Sequence, residues 1–244
     1  VFSVFVLVLT SCSSDDGNNN PILVTQAIET RDYNGSSNSY TTNFSYNGNK
    51  IISMSSGTNS INYTYTGDLI TKIEYFADAV LQQEDLYSYN SLEKLINYKR
   101  FEYDDINGDY GINVDYVHNS NGTVSYTRNT GYLPNITPSS TGTINFNNEG
   151  LVSNVEASTG YTFSYTYDTK NNPFENILGV DKIFFSDDEG SSYVRNLLSR
   201  VNSDSNSMYY TAIYTYTYNS ADFPTQSVEN NGYETVTKQF TYNH

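Results

Sequence analysis

The chain has 244 residues, with 27 acidic residues against 12 lysines and arginines, and its formal net charge is −15. A surface this acidic repels phosphate backbones, so the composition excludes nucleic acid as a partner. The chain holds 1 cysteine, which excludes an intramolecular disulfide. With 25 Tyr, 12 Phe and no Trp, and with many Thr and Asn, the composition favours strands and turns over helices.

The apolar run from Val1 to Leu9 is shorter than the ~18 residues that a membrane-spanning helix needs, and Ser11-Cys12 follows it. This segment resembles a bacterial lipoprotein signal peptide, which is cut just before a cysteine that then carries acyl chains. The resemblance implies that residues 1–11 are removed and that Cys12 anchors the protein in a membrane. Because the chain begins without methionine or a basic segment, we expect a few residues before Val1.

Residues 12–20 predict a flexible acidic linker, because Ser, Asp, Asn and Gly offer nothing to bury. Asp15-Asp16 after the cysteine resembles the tag that sends lipoproteins of some Gram-negative bacteria to the outer face of the outer membrane. A plain solvated linker is the alternative interpretation. We therefore expect a lipid-anchored outer-membrane protein that faces the cell exterior, with residues 21–244 as a single β domain.

A degenerate repeat runs through the chain, and its clearest copies are residues 44–54 and 63–73. Each copy has an alternating aromatic strand, a polar turn and a second strand opened by an aliphatic residue. The last aromatic residues of the copies are Tyr46, Tyr65, Tyr89, Tyr116, Phe146, Tyr167, Tyr218 and Tyr242. Most steps between them are 19 to 30 residues, but one is 218 − 167 = 51 residues, where we expect one lost copy.

Each copy predicts a β-hairpin with one apolar face and one wet face. In residues 61–66, Tyr63 and Tyr65 share the apolar face and Thr64 lies on the other. By the same parity, the set predicted to be buried also contains Tyr165, Tyr214 and Tyr216, and the set predicted to face water contains Thr166 and Thr215. Turns this short require antiparallel neighbours. The predicted fold is an all-β antiparallel meander, strongly twisted and curled toward a barrel or a two-layer sandwich.

One short helix is predicted at residues 193–201, where Val194, Leu197, Leu198 and Val201 recur at helical spacing. The acidic turn at residues 186–190 reads as a solvated loop. Both predictions concern the stretch that holds the 51-residue step.

The Tyr-x-Tyr-x-x-x-Gly pattern, with Tyr167-Asp168 in residues 167–174 as its closest match, resembles the YD-repeat families of bacterial surface and secreted proteins. It is also similar to tyrosine-rich outer-membrane lipoproteins of an uncharacterised family. Asn172 stands where the strict YD core has arginine. The resemblance therefore implies the repeat architecture and not a cargo-enclosing shell.

The sequence offers few candidates for catalysis. It has 2 histidines, His118 in a predicted exposed turn and His244 at the end of the chain, and it lacks nucleophile-elbow, HExxH and phosphate-loop patterns. We therefore expect no enzyme activity. A glycoside hydrolase built on two carboxylates is kept as an alternative, because no linear motif reveals such a pair.

The best metal candidate is the turn that contains Asp105, Asn107 and Asp109, whose alternate oxygen side chains are typical of calcium loops. Tyr110 replaces the glycine of such a loop and Tyr116 replaces its final glutamate. An ordinary polar turn is the competing interpretation. No other cofactor is expected.

The tyrosine ladders support two interpretations, since aromatic rings stack on sugars but also pair across strands to stabilise a sheet. The leading hypothesis is a non-enzymatic, surface-anchored lipoprotein that binds or scaffolds an extracellular ligand, either a glycan or a protein. A structural envelope protein without a ligand is the first alternative. The carboxylate-based glycoside hydrolase is the second.

Overall fold

The computed structural model describes residues 20–104, 106–188, 194–204 and 208–244. These residues form sixteen antiparallel strands, each paired with the next along the chain, and β1 closes the sheet by pairing with β16. The predicted all-β meander is confirmed, and it is a closed barrel rather than a sandwich. Closure leaves the sheet without an unpaired edge.

The strands are β1 Val24–Tyr33, β2 Ser36–Asn47, β3 Lys50–Ser56, β4 Asn59–Thr66, β5 Leu69–Ala77, β6 Val80–Tyr89, β7 Leu95–Glu102, β8 Tyr110–His118, β9 Val124–Tyr132, β10 Thr137–Phe146, β11 Val152–Ala157, β12 Thr162–Asn171, β13 Arg195–Ser203, β14 Met208–Tyr218, β15 Pro224–Asn230 and β16 Thr235–Tyr242. A short helix α1, Val180–Ile183, and a 3₁₀ turn, Ser186–Asp188, lie between β12 and β13.

The eight aromatic markers of the repeat all lie on even-numbered strands, so each copy contributes two strands. The prediction of a lost copy was wrong. The step from Tyr167 to Tyr218 leads from β12 to β14, just as every other step leads from one even-numbered strand to the next. Its extra length comes from residues 172–194, which lie between β12 and β13 and which we call the inserted segment.

The helix predicted at residues 193–201 was also wrong, because β13 occupies Arg195–Ser203. Its backbone pairs with β12 on one side and β14 on the other. Leu197 packs against the core whereas its neighbour Leu198 is 38% exposed, as a strand's alternation requires. Hydrogen bonding to two neighbouring strands therefore determined the structure of this segment, although four of its apolar residues recur at helical spacing.

The predicted faces of the hairpins are confirmed. Tyr165 is buried, Tyr63, Tyr65, Tyr214 and Tyr216 are half-buried, and Thr64, Thr166 and Thr215 are exposed. The inward positions form one continuous apolar core that includes Ile51, Ile70, Leu95, Val114, Ile144, Val152 and Val155, each nearly inaccessible to water. Burying one such side chain contributes about 1.5–3 kcal/mol.

The two ends of the barrel differ. The end with the turns at residues 48–49, 67–68, 90–94, 119–123, 147–151 and 219–223 also carries the inserted segment, and we call it the plugged end. The opposite end, with turns at 34–35, 57–58, 78–79, 103–109, 133–136, 158–161 and 231–234, is the distal end.

The inserted segment closes the plugged end with apolar side chains. Its residues Ile177, Val180, Ile183 and Phe185 are buried in the barrel core. Gly179 adopts a φ of 82° and lies so close to the turn at 67–68 that a Cβ there would come within 2.9 Å of the Asp68 carbonyl oxygen. Glycine is therefore required for the segment to seat against the barrel rim.

Both termini of the described chain meet at the plugged end. The Asn243 side chain accepts a hydrogen bond from the Leu23 amide at 2.9 Å, and the Asn243 amide donates to the Leu23 carbonyl at 3.1 Å. Asn20 is held there too, through its carbonyl oxygen at 3.2 Å from His244 Nε2. The described chain therefore begins and ends at the plugged end.

Candidate binding site

The plugged end is built around a repeated tyrosine contact. Near the end of an even-numbered strand, a tyrosine hydroxyl donates to the carbonyl of an aliphatic residue or proline at or near the start of the preceding odd-numbered strand. The pairs are Tyr46 to Val24 at 2.7 Å, Tyr89 to Ile70 at 2.6 Å, Tyr167 to Val152 at 2.8 Å, Tyr216 to Leu197 at 2.7 Å and Tyr242 to Pro224 at 2.7 Å. Four of the eight repeat markers, Tyr46, Tyr89, Tyr167 and Tyr242, make this contact.

A β-bulge accompanies the contact. The register of β2 and β3 shifts between Ser45 and Tyr46, and corresponding shifts occur at Tyr65, Tyr89 and Tyr167. A bulge disrupts the ladder locally and leaves a residue unpaired. These bulges lie at the plugged end, next to the repeat tyrosines. The last tyrosine of the repeat pattern therefore marks both a bulge and a hydroxyl that forms a hydrogen bond.

Burial raises the pKa of the plugged-end tyrosines, and it raises that of Tyr65 to about 12. These hydroxyls therefore stay neutral and act as structural donors. His118 takes the same place on β8, with Nε2 at 2.8 Å from the Leu95 carbonyl oxygen and the ring against Phe185. The prediction of an exposed turn histidine was wrong, because His118 is the half-buried last residue of a strand.

Charged side chains inside the barrel fasten the inserted segment. Asp187 bridges two inward arginines, with its oxygens 2.8 Å from Arg100 and 2.9 Å from Arg128. Arg100 also contacts Asp85, which is 2% exposed. Burial raises the pKa of Asp85, while Arg100 works in the opposite direction. The solvated loop predicted at residues 186–190 is thus wrong for Asp187, which ties the segment to β7 and β9.

A cavity of about 280 Å³ lies between β1, β2, β14, β15 and β16, and both apolar and charged residues line it. We call it the lumen cavity. The inserted segment and β13 contribute Asn172, Pro173, Phe174 and Asn196 to its lining. The apolar residues of its lining include Phe44, Met54 and Phe240. Phe44 and Phe174 pack with ring centroids 5.9 Å apart.

The lining of the lumen cavity also has polar and charged side chains. It contains Glu29, Glu229 and Lys238, together with Tyr214 and Ser227. Lys238 Nζ lies 2.9 Å from Glu29 Oε2, and its side chain is 42% exposed, so the cavity has contact with water at this point. The cavity is therefore amphipathic and lies within reach of solvent.

The electrostatics of Glu29 are set by its partners. Arg31 Nε holds its other oxygen at 2.7 Å. Burial alone would raise the pKa of Glu29, but Lys238 and Arg31 lower it below its usual value. Glu29 is therefore an ionised acceptor, the opposite of the raised-pKa carboxylic acid that a glycosidase needs as its proton donor.

Asn196 supplies an acceptor with unused capacity. It is 1% exposed, and its Nδ2 donates to Asp168 and to the Asn171 carbonyl at 3.0 Å. Its Oδ1 has no hydrogen-bond partner within the part of the chain that the structure describes. Buried acceptors of this kind are uncommon in native proteins and require an explanation such as a ligand or a water.

The distal end carries the exposed aromatics. Among the tyrosines whose side chains are described, the exposed ones are Tyr33, Tyr40, Tyr132, Tyr161 and Tyr233, with exposures of 44 to 73%. Four lie in or beside distal turns, and Tyr40 lies on the part of β2 that extends past the pairing with β3. The tyrosines of this chain therefore include two groups, one hydrogen-bonded at the plugged end and one exposed at the distal end.

The predicted metal and lipid sites lie partly or wholly outside the described residues. Cys12 and Asp105 are outside them. Asn107 Nδ2 donates to Asp104 at 2.7 Å, and Asp109 Oδ1 accepts from the Asp104 amide at 3.3 Å. Among the described residues, no group of three metal-ligating His, Cys, Asp or Glu side chains occurs. The calcium site and the lipid anchor stay predictions.

Of the residues that line the lumen cavity, the sequence analysis had named Tyr214 and Tyr216 as buried residues and Asn172 as a departure from the YD core, and none of them as a binding residue. Glu29 and Lys238 could have been found, because each is a charged residue at a position where the alternation of Ala27 or Phe240 demands an apolar one. A charged residue on the inward face of a strand is a signal for a site.

Many exposed positions on the outer wall of the barrel are polar, although the aliphatic side chains of Ile52, Ile96, Val117, Leu198 and Ile213 are exposed there too. The exposed polar positions include Asn43, Ser45, Asn62, Thr64, Asp115, Thr127, Glu156, Ser164, Thr166, Thr215, Thr217, Gln239 and Thr241. Several pair across strands, as Thr166 and Ser199 do at 2.6 Å. A barrel that spans a bilayer instead presents an apolar band about 25 Å tall to the lipid. Separately, no helix among the described residues is long and apolar enough to cross a membrane.

The fold resembles solved structures. A porin-like protein from Bacteroides vulgatus matches with a TM-score of 0.58 and 13% identity, over 91% of this chain and 99% of that one. A porin-like protein from Bacteroides uniformis matches with a TM-score of 0.52 and 13% identity, over 90% and 96%. No family model and no curated protein matches. At this identity the likeness establishes the shared barrel fold.

Proposed function

We propose that this protein is a non-enzymatic barrel of the bacterial outer membrane that is tethered by a lipid on Cys12, stands in water and binds a ligand from its distal half. The observation that carries the proposal is the large number of exposed Thr, Ser and Asn side chains on the outer wall, which interrupt its exposed aliphatic residues. Thr, Ser and Asn on the outward positions are solvated at no cost in water, whereas each such group facing lipid costs free energy.

The position of the termini supports the tether. The described chain begins with Asn20 at the plugged end, and seven residues, 13–19, lie between Asn20 and Cys12. Extended chain spans at most ~3.5 Å per residue, so this linker keeps the plugged end within roughly 30 Å of the anchor. The plugged end then faces the membrane, and the distal tyrosines point away from it.

The hydrolase alternative is less well supported. Glu29 and Glu229 do line one cavity, which is the arrangement that would favour it. The lowered pKa of Glu29 opposes a role as general acid. Glu229 accepts from Tyr210 at 3.3 Å. A pair of held carboxylates fits binding better than proton transfer.

The test is the fate of Cys12→Ser. Without the anchor, we expect the chain to leave the membrane fraction and to stay soluble without detergent, whereas Ser13→Ala stays with the membrane. A fatty-acid probe should label the Ser13→Ala chain and not the Cys12→Ser chain. If Cys12→Ser still requires detergent for extraction, the barrel is embedded in the bilayer and the proposal is wrong.

The outward orientation is tested with a cysteine in a distal turn. Cys12 is the single cysteine of the chain, and acylation would block its sulfur, so Thr58→Cys introduces a unique thiol at an exposed distal turn. A membrane-impermeant maleimide should label this thiol in intact cells. Labelling only after lysis would place the barrel on the periplasmic side.

A further inference from the structure

We propose that the lumen cavity binds one neutral sugar residue of a glycan. The proposal names a ligand class for the function proposed above, and it rests on that function because the distal half must be reachable from water. Two observations support it, namely the residues that line the lumen cavity and the volume of the cavity.

The lining has partners for both faces of a pyranose. Phe44, Phe174 and Phe240 supply an aromatic surface for the C–H face of a sugar. In the same lining, Glu29 and Glu229 would accept hydrogen bonds from sugar hydroxyls, and Lys238 would donate one. Buried polar groups gain most from a ligand that satisfies them in fixed geometry.

Asn196 provides independent support. Asn196 belongs to the cavity lining, and its Oδ1 is a buried acceptor with no hydrogen-bond partner among the described residues. A hydroxyl is a donor of the right kind, because it is neutral and can rotate to meet an acceptor. Hydrocarbon in the same place would leave this oxygen unsatisfied.

The charge of the cavity lining and the volume of the cavity limit the range of possible ligands. The lining carries two carboxylates against one ammonium in a chain whose net charge is −15, so phosphate or sulfate groups are disfavoured. Typical ligand pockets span ~300–1,000 Å³. A cavity of about 280 Å³ lies just below that range, so it accommodates a single ring, with the rest of the glycan outside.

The experiment uses the purified full chain in mild detergent and saturation-transfer NMR with a panel of neutral monosaccharides, plus one sugar phosphate. Tyrosine fluorescence gives a second readout, since there is no Trp to obscure it. We expect at least one neutral sugar to bind and the sugar phosphate to bind about tenfold more weakly or not at all.

Two matched pairs of variants locate the site. Ala27→Leu fills the cavity and should weaken binding at least about tenfold, whereas Gln26→Leu, next to it on the outer wall, should leave binding within about twofold. Lys238→Ala should weaken binding and Gln239→Ala should not. Circular dichroism melting of each variant confirms that it is folded.

Three results would overturn the proposal: no neutral sugar binds at millimolar concentration, folded Ala27→Leu binds like the parent, or the sugar phosphate competes best. These results are separate from the solubility of Cys12→Ser. A soluble chain without sugar binding rejects the ligand and keeps the tethered barrel, and a chain that still needs detergent rejects the tethered barrel itself.

Discussion

At the plugged end, tyrosines turn their hydroxyls onto backbone carbonyls at 2.6 to 2.8 Å, whereas at the distal end five tyrosines are 44 to 73% exposed. The residue type is the same, but its surroundings differ. At one end the ring packs against aliphatic residues and the hydroxyl completes a bulge. At the other end the ring is largely exposed to solvent. Counting tyrosines therefore says little until each one is placed along its strand.

The same contrast holds for charge. Near the plugged end, Asp187 is held by two arginines and fastens the inserted segment. In the lumen cavity, Lys238 and Glu29 form an ion pair that is partly open to water. One set of charges fixes the fold, and the other lies where a ligand can reach it.

The largest expected effect comes from alkaline pH, which acts on the plugged end. The pKa of Tyr65 is raised from 10 to about 12, and burial raises those of Tyr46, Tyr89, Tyr167 and Tyr242. Because the folded state holds these protons more tightly than the unfolded state, their contribution is complete below about pH 10 and is lost as pH rises through about 12.

We therefore expect the urea midpoint, followed by circular dichroism, to be flat up to about pH 10 and to fall steeply above it. A double variant, Tyr89→Phe with Tyr242→Phe, starts less stable but loses less over the same range. A midpoint that holds through pH 11 would show that the plugged-end hydroxyls do not matter for stability.

Next in size is the truncation of Tyr65. We expect Tyr65→Ala to lower the free energy of unfolding by about 3 kcal/mol, because it removes a ring packed on the core and the 3.0 Å hydrogen bond to the Leu178 carbonyl. Thr64→Ala, on the outer face of the same strand, should change it by less than about 0.5 kcal/mol. Similar losses from both variants, measured by chemical denaturation, would contradict the assigned faces.

The third largest effect is expected from the ion pairs of Asp187, which hold the inserted segment in place. Asp187→Ala should destabilise the protein by about 2 kcal/mol, below the ~3–5 kcal/mol of a fully buried pair, since Asp187 and both arginines are 23% exposed. Asp181→Ala is the control, because its one ion pair is with the adjacent Lys182 at an exposed site. Faster proteolysis within residues 172–194 of Asp187→Ala should accompany the loss.

Alternation carried most of the fold prediction. In residues 61–66 the aromatic and threonine positions follow the pleat, so faces and antiparallel pairing could be predicted from local pattern. Barrel closure could not, because it depends on β1 meeting β16, a contact between residues more than 200 positions apart. The helix at 193–201 failed for the same reason, since both partners of β13 are distant in sequence or come after it.

The candidate site was harder to predict than the fold. The lumen cavity is assembled from β1, β2, β14, β15 and β16, so no linear motif contains it. The search for motifs pointed instead to the acidic turn near Asp109, whose described oxygens bind their own turn. Glu29 and Lys238, which break the inward alternation, were the informative residues, and a pattern search that scores such breaks would have found them.

The smallest effect isolates a single hydroxyl at each end. Tyr89→Phe removes the donor to the Ile70 carbonyl at 2.6 Å and leaves a partly buried acceptor unsatisfied, so we expect a loss of about 1 kcal/mol in the free energy of unfolding. Tyr233→Phe, on a side chain that is 73% exposed at the distal end, should change it by less than about 0.5 kcal/mol. Urea denaturation resolves this difference. If Tyr233→Phe costs as much as Tyr89→Phe, the distal tyrosines are structural as well, and the contrast between the two ends does not hold.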